Sequence, residues 1–116
     1  MNNEVQQVKI TDTQIGHGKT AVKGALCFVQ YDGYLDDGTK FDSTYTHGRP
    51  FEFVVGSKKV IIGWSQGVLG MKEGGRRTLY IPSHLAYGDR QIGQFIKPNS
   101  NLTFHVEMLE VRPREE

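Results

Sequence analysis

Val60-Ile61-Ile62-Gly63-Trp64-Ser65-Gln66-Gly67-Val68-Leu69-Gly70-Met71 is the densest apolar block of the chain and holds its single tryptophan. Ile61, Trp64 and Val68 fall at i, i+3 and i+7, one face of a helix, with Leu69 widening that stripe and the glycines keeping it short. Such a face has to bury against something. Most other segments read as strands, so the surface on offer is the concave side of a sheet, where Trp64 either plugs the core or floors a pocket.

The strands follow from alternation. Glu4 to Ile10 alternates weakly as an edge strand, and Gly16 to Thr20 marks a turn. Ala25 to Leu35 sets Cys27, Val29 and Tyr31 against Leu26, Phe28 and Gln30. Asp36-Asp37-Gly38 supplies hairpin chemistry, and Thr39 to Ser43 returns as a short strand. Thr44 to Pro50, polar and punctuated by Gly48, reads as a bulge or loop interrupting that strand, which resumes at Phe51 to Val55. After the helix come a strand at Arg76 to Ile81 and an irregular stretch from Ser83 to Lys97, long enough to suggest function. The last strand, Ser100 to Val111, turns Leu102, Phe104, Val106 and Met108 inward. The expected architecture is α+β: five or six antiparallel strands, strongly twisted into a half-barrel over one short helix, with the 116 residues forming one domain.

Composition removes several function classes. With 14 basic against 13 acidic side chains and no block of like charge, neither nucleic acid nor an anionic membrane is an expected partner. Cys27 is the only cysteine, so no internal disulfide forms, and Ala-Leu-Cys-Phe-Val makes it a small buried hydrophobe. A reducing, cytoplasmic setting is the default, because no basic region leads an apolar stretch at the N-terminus and no apolar run suits a membrane span. His17, His47, His84 and His105 lack ligand spacing, so no metal is expected.

Two motifs are decoys. Gly16 to Thr20 looks like part of a phosphate-binding loop, but Thr13 stands where that pattern needs glycine. Gly63-Trp64-Ser65-Gln66-Gly67 spells a nucleophile elbow followed by Asp89 and His105. An elbow needs a long buried strand leading into it, and only Val60-Ile61-Ile62 precede this one. Other residues carry more information. Asp42 and Tyr87 are each either a solvated strand-end or loop residue or a polar group at a pocket rim. Tyr31, Phe41, Phe51, Trp64, Tyr87 and Phe104 together offer more aromatic wall than a core of this size needs.

Read together, the pieces resemble the FKBP-type peptidyl-prolyl isomerases, the immunophilins that bind macrolides. The resemblance runs from about Val29 to Val111. It rests on Tyr31-Asp32-Gly33 with Leu35-Asp36-Asp37-Gly38, Phe41-Asp42-Ser43, Pro50-Phe51-Glu52-Phe53, Val60-Ile61 with Gly63-Trp64 and Gly67-Val68, Gly74 with Arg76, Ile81-Pro82, Ala86-Tyr87-Gly88, and Pro98 to Phe104. It implies an enzyme that accelerates rotation about X-Pro bonds in proline-containing peptides and unfolded proteins, with no cofactor and no metal, acting as a monomer and binding tacrolimus or rapamycin. The implied site is a proline pocket floored by Trp64 and walled by Tyr31, Phe41, Phe51, Val60, Ile61 and Phe104. Asp42 and Tyr87 form its polar rim, and the loop through Phe95 and Ile96 overhangs it. Asp42, Tyr87, Trp64 and Phe104 carry the catalytic role. The chain departs from relatives at Ile92, Phe95 and Lys97 of the last loop, at His105, and at His47, which stands where animal members place an arginine beside the acid.

Overall fold

The computed structural model describes residues 7–114. Their strands form a six-stranded antiparallel sheet: β1 (Lys9–Gln14), β2 (Leu26–Leu35), β3 (Lys40–Ser43), β4 (Phe51–Val54), β5 (Arg76–Ile81) and β6 (Leu102–Arg112). The order is β1-β5-β6-β2-β3, with β4 also paired to β2. β3 and β4 share one edge of β2, at Asp32–Tyr34 and Leu26–Val29 respectively. They are two halves of one interrupted strand, as the polar Thr44 to Pro50 segment suggests.

The interruption itself differs from the expected bulge or loop, because Thr44–His47 is a single helical turn, α1. Ser43 caps it by accepting from the Tyr45 N–H, and Gly48 ends it in the left-handed region at φ 76°. On one edge of β2 Tyr31 pairs with Val106 of β6, but on the edge that β3 and β4 share the turn leaves it without a strand partner. Thr44 Oγ1 takes that place, accepting the Tyr31 N–H at 2.8 Å and donating to the Tyr31 carbonyl at 3.3 Å. The backbone that carries the Tyr31 ring is therefore fixed by a side chain.

The decisive apolar run forms α2 (Ile62–Val68). Trp64 and Val68 bury against the sheet as their spacing requires, together with Gly63 and Gly67. An added Cβ at Gly67 would stand 2.6 Å from Leu79 Cδ1, and one at Gly63 would stand 2.4 Å from Ile81 Cγ2. The helix lies that close to β5. Leu69, expected on the buried stripe, is half exposed, because the chain turns extended there (ψ 127°) before the helical phase reaches it. Arg77 holds the helix C-terminus: its Nη1 donates to the carbonyls of Gly67 and Leu69 at 2.9 and 3.0 Å, and its Nε donates to Asp12 of β1 at 2.7 Å.

Two strand limits also shift. β1 runs from Lys9 to Gln14, pairing Ile10 with Leu79, past the expected end at Ile10; the expected start at Glu4 lies outside the described residues. In β6, Leu102, Phe104, Val106 and Met108 point inward as expected. A bulge then reverses the phase, so that Leu109 faces out and Val111 is fully buried. The Ser83 to Lys97 stretch contains a 3-10 turn at Ser83–Leu85 and a small bridge between Ile92 and Ile96. Cys27 is fully buried, and burial, followed by the nearby Glu73 charge, pushes its thiol pKa up to about 11. Among the described residues no helix is long and apolar enough to cross a membrane, and no three potential metal ligands cluster.

Candidate functional site

Trp64, lifted from α2 toward the concave face of the sheet, is the centre of a cluster of rings. Its centroid stands 4.8 Å from Phe104 of β6, 5.1 Å from Tyr31 of β2, 5.7 Å from Phe53 and 6.0 Å from Phe51, both of β4. All four contacts are edge-to-face, with interplanar angles of 70–86°. Such pairs contribute about 0.5–1.5 kcal/mol each beyond burial, and they lock ring orientation. Phe41 of β3 meets Phe104 edge-on at 5.6 Å. Gly33 makes that possible, since a Cβ there would lie 2.7 Å from Phe41 and 3.0 Å from Phe104.

Above these rings lies a hollow of about 580 Å³, a size suited to a small ligand or a short peptide turn. Tyr31, Phe41, Asp42, Phe51, Val60, Ile61, Trp64, Tyr87 and Phe104 line it. Trp64 is 3% exposed, so only a sliver of the indole meets solvent, as a floor should. Its Nε1–H is buried and has no acceptor among the described residues. The Ile61 N–H, just ahead of α2, likewise has no partner among them.

Two residues expected at the rim lie elsewhere. Phe95 borders a separate hollow with Leu35, Asp36 and Asn101, while Ile96 is buried in the core. The cause is the Ile92–Ile96 bridge, which folds the tip of the loop back on itself and turns Ile96 inward. Sequence reading also missed lining residues: Ala86 and Arg90 from the same loop as Tyr87, Lys58 and Lys59 from the approach to α2, and Ile62 at the start of that helix. Consecutive lysines ahead of an apolar block are the available signal for Lys58 and Lys59.

Asp42 is the one carboxylate in the lining, and it is already engaged. Oδ2 accepts the Tyr31 hydroxyl at 2.6 Å, and Oδ1 takes the Ser43 N–H at 2.8 Å and His47 Nε2 at 2.9 Å. Burial pushes its pKa up, but donation from Tyr31, His47 and Ser43 outweighs burial, and the net effect holds the group below the ordinary carboxylate value. Burial, the bond to Asp42 and the Asp42 charge together push the Tyr31 phenol well above its usual range. Tyr87 shifts upward too, through burial and then the Asp42 charge, opposed by Arg90. The rim is therefore a carboxylate and two neutral phenols at neutral pH, without a free general base.

The elbow-like serine is spoken for, because Ser65 Oγ accepts the Gly56 N–H at 2.9 Å and ties α2 to the turn after β4. His105 sits on the outer face of β6 against Thr78 Oγ1 at 2.9 Å. No nucleophile and base meet at this site.

Comparison with known proteins gives the same arrangement a lineage. Residues 17–109 match the model of the family described as FKBP-type peptidyl-prolyl cis-trans isomerase. An FK506-binding protein of Neisseria meningitidis serogroup A is 49% identical over 102 residues, covering 88% of this chain and 94% of that protein. The mouse peptidyl-prolyl cis-trans isomerase FKBP2 is 46% identical over 94 residues, covering 81% of this chain and 67% of its own. The crystal structure of AtFKBP13 superposes with a TM-score of 0.83 at 41% identity, covering 89% of this chain and 91% of that one. That of FkpA from Escherichia coli gives 0.83 at 39% identity, over 91% of this chain and 48% of that one. Sequence match, superposition and a ring-floored hollow agree, and the chain belongs to the FKBP-type peptidyl-prolyl cis-trans isomerase family.

Proposed function

We propose that this hollow takes the pyrrolidine ring of an X-Pro segment onto the Trp64 indole and speeds rotation of the preceding peptide bond without any covalent step. One observation carries the reading: a cluster of edge-to-face rings floors an open hollow whose one carboxylate is held by three donors. Rotation about X-Pro crosses a barrier of about 18–20 kcal/mol because it breaks amide resonance. In the twisted state the amide loses its charge separation, so a water-poor aromatic site disfavours the planar, polar ground state more than the transition state. Acid-base groups are not needed.

Tyr31, Phe51, Trp64 and Phe104 grip the ring, Val60 and Phe41 complete the wall, and the Ile61 N–H and Tyr87 hydroxyl hold the flanking carbonyls. Asp42, fixed by Tyr31 and His47, faces the rotating carbonyl or orients its neighbours. Substrates are proline-containing and unfolded chains, and tacrolimus or rapamycin competes for the same hollow. The protein works as a monomer in the cytoplasm.

The test is cis/trans exchange in a short X-Pro peptide, followed by NMR exchange spectroscopy. Wild type should accelerate exchange and lose that acceleration with rapamycin. Trp64→Leu should lose most of it, and Tyr87→Phe about tenfold, or about 1.4 kcal/mol. Binding of the peptide without faster exchange would refute the enzyme reading.

A further inference from the structure

Three cations stand around the hollow, and none is paired: Lys58 and Lys59 on the approach to α2, and Arg90 on the loop that carries Tyr87. All three are exposed, and among the described residues no carboxylate lies within ion-pair distance of any of them. The negative charges nearby do not cancel them. Asp42 is committed to Tyr31, Ser43 and His47. Glu52 alternates with Phe51 and Phe53 on β4, so it faces away from the hollow, on the side where Arg112 feels its charge. Asp89 is exposed beside Arg90 but does not line the hollow. A chain whose formal charge is only +1 thus gathers unpaired positive charge at the ring-floored opening.

The cations belong to two different segments, one entering α2 and one following β5, and all three line the same opening. We infer that the mouth selects X-Pro segments bearing an anionic side chain, carboxylate or phosphate, next to the proline. This rests on the isomerase reading and adds a substrate class to it. The apolar hollow recognises the ring, which all X-Pro segments share. The cations supply a separate contact that only anionic neighbours satisfy and that basic neighbours meet as repulsion.

Each exposed cation contributes modestly, so a glutamate peptide should exceed its lysine counterpart in kcat/KM by about threefold to tenfold at low salt. Screening should bring that ratio close to one near 1 M salt, where the Debye length falls to about 3 Å.

The experiment is NMR exchange on four peptides, Ala-Xaa-Pro-Phe with Xaa as Glu, phosphoserine, Gln or Lys, at 20 mM and 1 M sodium chloride. Wild type is compared with Lys58→Glu/Lys59→Glu and with Arg90→Glu, each checked for native fold by circular dichroism. The inference expects Glu or phosphoserine above Gln above Lys at low salt, a collapse of the order at high salt, and its inversion in the charge-reversed variants. A phosphoserine rate well above the glutamate rate assigns the mouth to phosphate, and the reverse assigns it to carboxylate. Equal rates for Glu, phosphoserine, Gln and Lys, or an order that ignores salt or charge reversal, would overturn the inference while leaving the isomerase intact. No acceleration for any peptide, the neutral Gln one included, would overturn both.

Discussion

Removing the Tyr31 hydroxyl tests the rim most directly. In Tyr31→Phe the ring keeps its edge-to-face contacts with Trp64, Phe51 and Phe104, and only the 2.6 Å bond to Asp42 Oδ2 is lost. A hydrogen bond to a charged acceptor contributes about 1.5–3 kcal/mol. The Asp42 side chain is 35% exposed, so water replaces part of that bond, and we expect a net loss of about 1 kcal/mol. For a domain of this size that lowers Tm by about 3–5 °C. The pH dependence follows from the directions of the two shifts. Asp42 titrates below its ordinary value when folded, so its contribution is present above the usual aspartate pKa of about 3.9 and is lost as pH falls through the folded value. Tyr31 titrates above its ordinary value, so its share is complete below about pH 10 and is lost as pH rises through the folded value. The gap between wild type and Tyr31→Phe should form a plateau across neutral pH and narrow at both ends. Denaturant unfolding from pH 3 to pH 10 measures the plateau and its acid end, and carboxyl carbon NMR follows Asp42, whose pKa should rise toward the ordinary value in the variant. An unmoved Asp42 titration, or a gap as wide at pH 3 as at pH 7, would refute the assignment.

Three further outcomes are expected. Gly67→Ala, which forces a methyl onto fully buried Leu79, should destabilise by about 1–3 kcal/mol through overpacking. Because it moves the helix bearing Trp64, it should also slow isomerisation; equal stability and rate in both proteins would show that the close approach is slack. Glu73 accepts the backbone N–H groups of Val111 and Lys19 at 2.7 and 3.2 Å, which, Val111 first, lower its pKa. Its stabilisation is present above the ordinary glutamate range and lost as pH falls through the folded value, so Glu73→Gln should flatten the acid limb of the unfolding curve. Cys27, buried and raised to about 11, should resist a disulfide reagent at pH 8 until the protein is unfolded, and rapid native-state labelling would contradict its placement.

The sequence made the floor and walls legible because they rest on periodicity. Trp64 follows from helical spacing, and Tyr31, Phe51 and Phe104 follow from alternation in strands buried on one side. What stayed hidden depends on local exceptions to a period. Leu69 obeys the helical count but sits past the last turn, and Val111 obeys strand alternation only once the bulge at Leu109 is known. The Thr44–His47 turn carries polar caps and no apolar stripe, so nothing in its hydrophobicity announces a helix. Phe95 and Ile96 were placed by family likeness alone, and a short bridge within their loop decides otherwise. The cations at the mouth escaped because exposed lysine and arginine carry no burial pattern; only their position around the hollow gives them meaning.

The exchange of hydrogen bonds between Tyr31 and Thr44 leaves the sheet with a seam at the edge of the hollow. On either side of that seam β2 is laced to β3 and β4 by backbone pairing, whereas here one hydroxyl does the fastening on that edge. A change at Thr44 therefore reaches the Tyr31 backbone, and through it the phenol at the rim, without touching the indole below.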